Sequence, residues 1–186
     1  MSATKQSVQI RIGGEAGQGV ILAGVILAQA ATNDHRQVAQ SARYGAAMRG
    51  GDATVDVVIA DAPIDYPHVE AADHLVVLSQ PTYEALVPRR APDGVVYYDP
   101  FFVTPRAGFA PVQHAIAATE SAIKRFGKAT AANQIVLGFL CAASRAVTWE
   151  SLVAAVVAEA PRFKEQNLEA LRLGRELAAQ AGLEVS

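Results

Sequence analysis

Seven residues near the start of the chain have types and spacing suited to holding a phosphate: Gly13-Gly14-Glu15-Ala16-Gly17-Gln18-Gly19. Glycines let the backbone approach an anion closely. A helix that starts just beyond them brings unpaired N–H groups and partial positive charge to the same point. The alternative is a tight strand-to-helix turn that holds no ligand, but four glycines in seven positions exceed what a turn needs.

A nicotinamide dinucleotide would require an acid about 20 residues further on, at the end of the second strand. Asp34 has that spacing but precedes the second strand, expected at 37–41, and the strand runs out at Ser41-Ala42-Arg43, on a cation. This argues against NAD and is compatible with a ligand that carries an extra ribose phosphate. The spacing Gly13-x-x-x-Gly17-x-Gly19 also fits short-chain dehydrogenases, which need a tyrosine with a lysine four residues later. Tyr44, Tyr66, Tyr83, Tyr97 and Tyr98 are followed at that spacing by Met48, Glu70, Val87, Phe101 and Phe102, so the acid catalyst is missing. A free-standing NAD(P)-dependent reductase of Rossmann type remains as the alternative function.

The second constellation runs from Ser41 to Gly51 and contains Arg43, Arg49 and Gly50. Guanidinium groups there pair with phosphates or with the carboxylates of a partner. Otherwise they are solvated loop cations. Metal chemistry finds little support. Cys141 is the only cysteine, so the chain alone cannot hold an iron–sulfur cluster, and His35, His68, His74 and His114 share no metal-ligand spacing.

The elements that must position these residues follow from apolar patterning. Strands are expected at 8–12, 37–41, 53–60, 75–78 and 95–98, with helices at 20–31 and 81–87, the second capped by Ser79 or Thr82. Alternation of strand and helix over 1–104 argues for an α/β fold: a doubly wound, mostly parallel sheet with a Rossmann-like start. The arginine loop then shares a sheet edge with the glycine loop. From 112 to 186 the chain reads as a mostly helical part, with helices at 135–143, 149–158 and 163–179; the sheet gives way between Pro105 and Pro111. The whole is read as one domain, 1–186.

Composition narrows the setting. The chain has 186 residues, 51% of them hydrophobic, enough for a packed core, and only 18% charged, which fits either surface covered by partners or an ordinary Ala- and Val-rich composition. The net charge of −2 has no basic block to favour nucleic acid or a membrane surface. No apolar run approaches the ~18 residues of a membrane span, and no secretion signal is visible, so the cytoplasm is the expected location.

In order, these motifs resemble the gamma subunit, or gamma domain, of the 2-oxoacid:ferredoxin oxidoreductases. The family's Gly-x-Gly-Gly-Gln-Gly-Val loop is matched by Gly14-Glu15-Ala16-Gly17-Gln18-Gly19-Val20, and its Tyr-Gly-x-x-x-Arg-Gly-Gly segment by Tyr44 to Gly51. Val58-Ile59-Ala60-Asp61, Ile64-Asp65-Tyr66-Pro67, Leu75 to Gln80, Asn133-Gln134-Ile135-Val136-Leu137-Gly138 and Asn167 to Gly174 follow in the family's sequence order. The Ile-x-Tyr-Pro and Ser-Gln elements look most like the 2-oxoglutarate branch. Ala16 departs from the family's glycine; a positive φ there would strain it.

The resemblance implies oxidative decarboxylation of a 2-oxoacid, 2-oxoglutarate by the branch it looks most like, to acyl-CoA and CO2. It implies companion alpha and beta subunits that carry thiamine diphosphate, Mg2+ and iron–sulfur clusters, with ferredoxin or another acceptor taking the electrons. No catalytic residue is expected on this chain. It would contribute coenzyme A contacts from Gly14, Gly17, Gln18, Gly19, Arg49, Gly50 and Asn133, Asn133 alternatively capping its helix, and would close over the active site. Gly51-Asp52-Ala53 resembles the start of a thiamine diphosphate motif, but Ala53 breaks it and a strand start is the reading preferred. A structural assembly subunit without ligand is a further alternative.

Overall fold

The computed structural model describes residues 7–45, 51–106 and 112–183. The chain forms β1 (Ser7–Glu15), α1 (Val20–Asn33), β2 (Gln37–Tyr44), β3 (Asp52–Ala60), β4 (Ala72–Val77), α2 (Gln80–Leu86), β5 (Arg90–Tyr98), β6 (Gln113–Ala115), α3 (Ala118–Phe126), α4 (Ala132–Ser144), α5 (Trp149–Glu159) and α6 (Lys164–Gln180). Short 3₁₀ turns at Val87–Arg89 and Ala129–Ala131 lead into β5 and α4.

One six-stranded sheet has the order β2-β3-β1-β4-β5-β6. β1, β4, β5 and β6 pair in parallel, whereas β3 is antiparallel to both β1 and β2. β2 therefore runs in the same direction as β1, and β3 is the reversed strand in a mostly parallel sheet. The reason is connection length. A parallel return needs a crossover of a dozen or more residues. Only residues 45–51 separate β2 from β3, so the two form a hairpin that wedges β3 against β1. The sheet also continues past 105–111, because β6 pairs with β5 before the helical part begins.

The two faces of the sheet are covered unequally. Ile10, Ile12, Val55, Val57 and Ile59 point into the larger core, beneath α1 and α4, with α5 behind α1 and α6 behind α4. α1 suits this place because Val20, Ala23, Ile26, Leu27 and Ala30 recur at helical spacing and are all buried. α4 and α6 pack backbone to backbone: a Cβ on Gly138 would lie 2.0 Å from the Leu171 carbonyl oxygen, and one on Gly174 2.0 Å from that of Ile135. The other face holds a smaller cluster, Val58, Leu75, Val77 and Val96, under Tyr83 of α2. Its N-terminal cap is Ser79, whose hydroxyl accepts the Thr82 N–H.

On that second face a buried ion pair joins β1 to β3. Arg11 donates from Nε to Asp56 Oδ1 (2.6 Å) and from Nη2 to Oδ2 (2.8 Å), and Nη2 also reaches the Val69 carbonyl (2.7 Å). Arg43 on β2 adds a third bond to Asp56 Oδ2 at 2.8 Å. Asp56 is 1% exposed, so its carboxylate oxygens are satisfied by these partners in place of water. Asp56→Ala would strand a buried guanidinium and is expected to lower unfolding free energy by about 3–5 kcal/mol. Urea denaturation reads this as a reduced midpoint; an unchanged midpoint would show that the pair does not hold the three strands.

Candidate functional site

β1 runs on through Gly13 and Gly14 to Glu15, so the first half of the glycine motif is strand and the turn itself is short, 16–19. Gly13 and Gly14 serve close packing: added Cβ atoms would meet Leu86 Cδ1 at 2.6 Å and Gln18 Oε1 at 2.5 Å. Gly17 and Gly19 are the residues that need glycine for conformation, with φ of 99° and 74°. Ala16 is not among the positive-φ residues, so the strain anticipated there does not arise. Its N–H donates to the Gly51 carbonyl at 3.0 Å, which joins the glycine turn to the loop end of the β2–β3 hairpin.

Gln18 latches the turn. Its Oε1 accepts the Glu15 N–H at 2.7 Å and its Nε2 donates to the Leu78 carbonyl at 2.8 Å. Leu78 N–H in turn donates to the Gly13 carbonyl at 2.8 Å. Both ends of the Gln18 amide are thus engaged by backbone at the ends of β1 and β4, which makes it a positioning residue for the loop. α1 begins at Val20 with Gly19 as its N-cap, without a side-chain cap and without an acid in its first turn. The first amides of α1 are therefore open to an outside acceptor.

Asn133 lies directly behind this turn. A Cβ on Gly19 would stand 2.5 Å from Asn133 Nδ2, so the start of α1 rests on the start of α4. Asn133 does not cap α4: the N-cap is Ala131, with no side-chain cap bond. It is 8% exposed, and its amide makes no hydrogen bond among the described residues. Between the turn and α4 opens a cleft of about 330 Å³, bordered by Gly17 to Gly19, Leu22, Leu78, Phe102, Val136 and Asn133. Asp99 closes its base. It is 2% exposed, and its carboxylate accepts the Phe101 N–H at 3.0 Å and the Thr119 N–H of α3 at 2.8 Å. Asp99 therefore ties the end of β5 to the start of α3 and borders the cleft.

The other expected residues divide clearly. Arg43 is spent on Asp56, as described above, and Arg49 and Gly50 lie outside the described residues. Asp34 sits at the far end of α1, roughly 21 Å from the glycine turn by helix rise. There it accepts the Thr148 N–H (2.7 Å) and hydroxyl (2.6 Å) at the start of α5. A larger cavity of about 600 Å³ adjoins Asp34, but structural pairs such as Arg36–Asp61 at 2.7 Å occupy its walls. Cys141 is buried in α4 and burial pushes its thiol up to about 11, which suits a core residue. Among the described residues no three His, Cys, Asp or Glu side chains converge as metal ligands, and no helix is long and apolar enough to cross a membrane. The apolar cleft walls had no sequence signal beyond their place after strand ends; Leu22 and Phe102 become neighbours only in the fold.

Comparison with known proteins decides the family. Residues 9–177 match the pyruvate ferredoxin/flavodoxin oxidoreductase family. The chain belongs to this family. It is 37% identical over 180 residues to a 2-oxoglutarate synthase subunit KorC of Methanocaldococcus jannaschii, covering 95% of this chain and 96% of the relative. A keto/oxoacid ferredoxin oxidoreductase gamma subunit from Geobacter sulfurreducens superposes with a TM-score of 0.84 at 32% identity, over 94% of this chain and 98% of that one. A 2-oxoglutarate:ferredoxin oxidoreductase from Magnetococcus marinus, with 2-oxoglutarate, coenzyme A and succinyl-CoA bound, shares the fold (TM-score 0.88, 22% identity); 98% of this chain covers 32% of that one. The free-standing reductase is not favoured by these relatives, which are subunits of larger enzymes.

Gln18→Ala removes the latch between the ends of β1 and β4. It is expected to cost about 1 kcal/mol, because the two backbone groups that it serves are only partly buried. A thermal melt indistinguishable from that of the native chain would rule out the latch.

Proposed function

We propose that this chain is the gamma subunit of a multi-subunit 2-oxoacid:ferredoxin oxidoreductase, of the 2-oxoglutarate type, and that residues 1–186 act in it as one unit. The assembled enzyme oxidatively decarboxylates the 2-oxoacid to acyl-CoA and CO2, and passes the electrons to ferredoxin or another acceptor. The chain's part is to hold coenzyme A at the glycine turn and to close over the site where acyl transfer takes place.

The observation that carries this reading is the uncapped start of α1 beside a cleft that contains an unpartnered, buried Asn133. Coenzyme A is a phosphate-rich ligand. The amides of Gly17, Gly19 and Val20 would receive its pyrophosphate, with Gln18, whose own N–H donates to the Glu15 carbonyl at 3.1 Å, holding the turn in shape. Gly14 contributes by leaving space for Gln18, and Gly19 by resting on Asn133. Arg49 and Gly50 belong to the same proposed site, Arg49 offsetting ligand charge.

Thiamine diphosphate, Mg2+ and iron–sulfur clusters do not fit the residues of this chain. Cys141, its single cysteine, is buried in α4, and Asp52 of the Gly51-Asp52-Ala53 sequence is the first residue of β3, paired with Glu15. These groups belong to companion alpha and beta subunits in the proposed assembly, and no reaction step is assigned to residues here. The exposed side chains of Phe102, which lines the cleft, and Phe101, whose ring centroid lies 4.9 Å from that of Phe102, suit a surface that such a subunit covers.

In the assembled enzyme, Gly19→Ala is expected to raise KM for CoA at least tenfold, because the new methyl meets Asn133 and the left-handed backbone disfavours alanine. Arg49→Ala is expected to raise it by a factor equivalent to about 1.5–3 kcal/mol, with the subunit still folded and assembled. Steady-state kinetics at varied CoA, with subunit content checked by gel filtration, measures both. An unchanged KM for CoA in both variants contradicts the reading.

A further inference from the structure

Among the described residues, His35, Arg145 and Phe163 are the non-glycine residues with a left-handed backbone. His35 and Arg145 stand just past the ends of α1 and α4, where that conformation is an ordinary way to close a helix. Phe163 stands instead at the start of α6, with φ 59° and ψ 39°, where an extended backbone is usual. The turn is built to hold it there. Asn167 Nδ2 donates to the Ala160 carbonyl at 3.0 Å and to the Arg162 carbonyl at 2.9 Å, and the Asn167 N–H donates to the Phe163 carbonyl at 3.0 Å. A bulky residue in this conformation costs free energy.

The fold of the single chain does not offset that cost. The Phe163 ring is 60% exposed and is not among the side chains packed on the core. Charge lies over it: Lys128 Nζ is 4.9 Å from the ring centroid and the Arg162 guanidinium 5.5 Å. At an exposed site such contacts are no stronger than the strain of the backbone. The surrounding surface is basic. Lys124 and Arg125 lie in the last turn of α3, and Glu169 pairs with Arg125 at 2.6 Å. Lys124, Lys128, Arg162 and Lys164 then outnumber Glu159 and Glu165 in the same stretches. Lys128 directly precedes Ala129 and Thr130, which line the cleft, so the ring stands beside the rim of the proposed site.

This step rests on reading the chain as a subunit of a larger enzyme. We propose that Phe163 is a docking anchor: its ring enters a socket on a companion subunit, and Lys128 and Arg162 pair with carboxylates that border that socket. A ring held in place before association loses little freedom on binding, and aromatic residues and arginines dominate the energetics of interfaces. The cations around it steer an acidic partner and make the association sensitive to salt. A second copy of this chain fits less well, because a two-fold contact would bring the same cations face to face.

Binding of the full chain to its purified companion subunits, measured by biolayer interferometry at low and high salt, tests the anchor. Affinity of the native chain should fall as salt is raised. Phe163→Gly suits the backbone and should weaken binding by about tenfold or more, without lowering the thermal midpoint of the chain alone. Lys128→Glu combined with Arg162→Glu leaves the ring in place; it should weaken binding by about tenfold and remove most of the salt dependence. Unchanged affinity in both variants, with the native chain still binding, overturns the anchor and leaves the proposed function standing. So does a dimer of the isolated native chain that Phe163→Gly dissolves, which would assign the patch to a second copy. A thermal midpoint that falls together with the affinity in Phe163→Gly makes the ring part of the fold and also overturns the anchor. A native chain that binds no companion subunit overturns both readings.

Discussion

The arrangement at the sheet edge depends on one close approach, that of Gly19 to Asn133. No side chain fits at position 19, because a Cβ there would fall 2.5 Å from the Asn133 amide nitrogen. This contact seats the first turn of α1 against the first turn of α4, although the two helices are far apart in sequence. It leaves the amides of α1 facing outward and opens the cleft between the two helix starts. A left-handed φ of 74° at Gly19 is what lets the chain leave the sheet and enter α1 in this direction. With a bulkier residue there, the turn and α4 would have to separate, and the cleft would lose its back wall.

A second constraint, the buried Arg11–Asp56 pair, fixes what surrounds the turn. Bonds at 2.6 and 2.8 Å hold β1 and β3 in antiparallel register, and Arg43 ties β2 to the same carboxylate. In that register Glu15 lies opposite Asp52, and the Ala16 N–H reaches the Gly51 carbonyl. The hairpin and the glycine turn therefore meet at one edge. The charge of Arg43 stabilises the sheet and is not available to a ligand in the same geometry. Burial on one face and charge pairing on the other thus converge on the same edge of the sheet.

Much of this was legible in the sequence. The apolar run of α1, the β-branched run of β3 and the position of the glycines between strand and helix foretold these elements and the turn between β1 and α1. The direction of β3 was equally written there, since residues 45–51 are too few for a crossover, yet strand-like composition alone does not reveal direction. β6, three residues long, carries too little periodicity to be recognised and exists through its pairing with β5. Gln18 looked like part of a ligand cradle, whereas its amide turns back to Glu15 and Leu78; side-chain direction in a turn is set by tertiary partners. Asn133 was legible as a residue near a helix start, but a cap and a cleft-lining amide have the same sequence appearance. The contact with Gly19 distinguishes them.

The central claim is that coenzyme A sits on the glycine turn of this chain. Hydrogen–deuterium exchange of the assembled enzyme, with and without CoA, tests it most directly. Bound CoA should slow exchange of the amides over 17–22 and over 129–136, while the far end of α1 near Asp34 stays unchanged. CoA saturation with no protection over 17–22 would contradict the account.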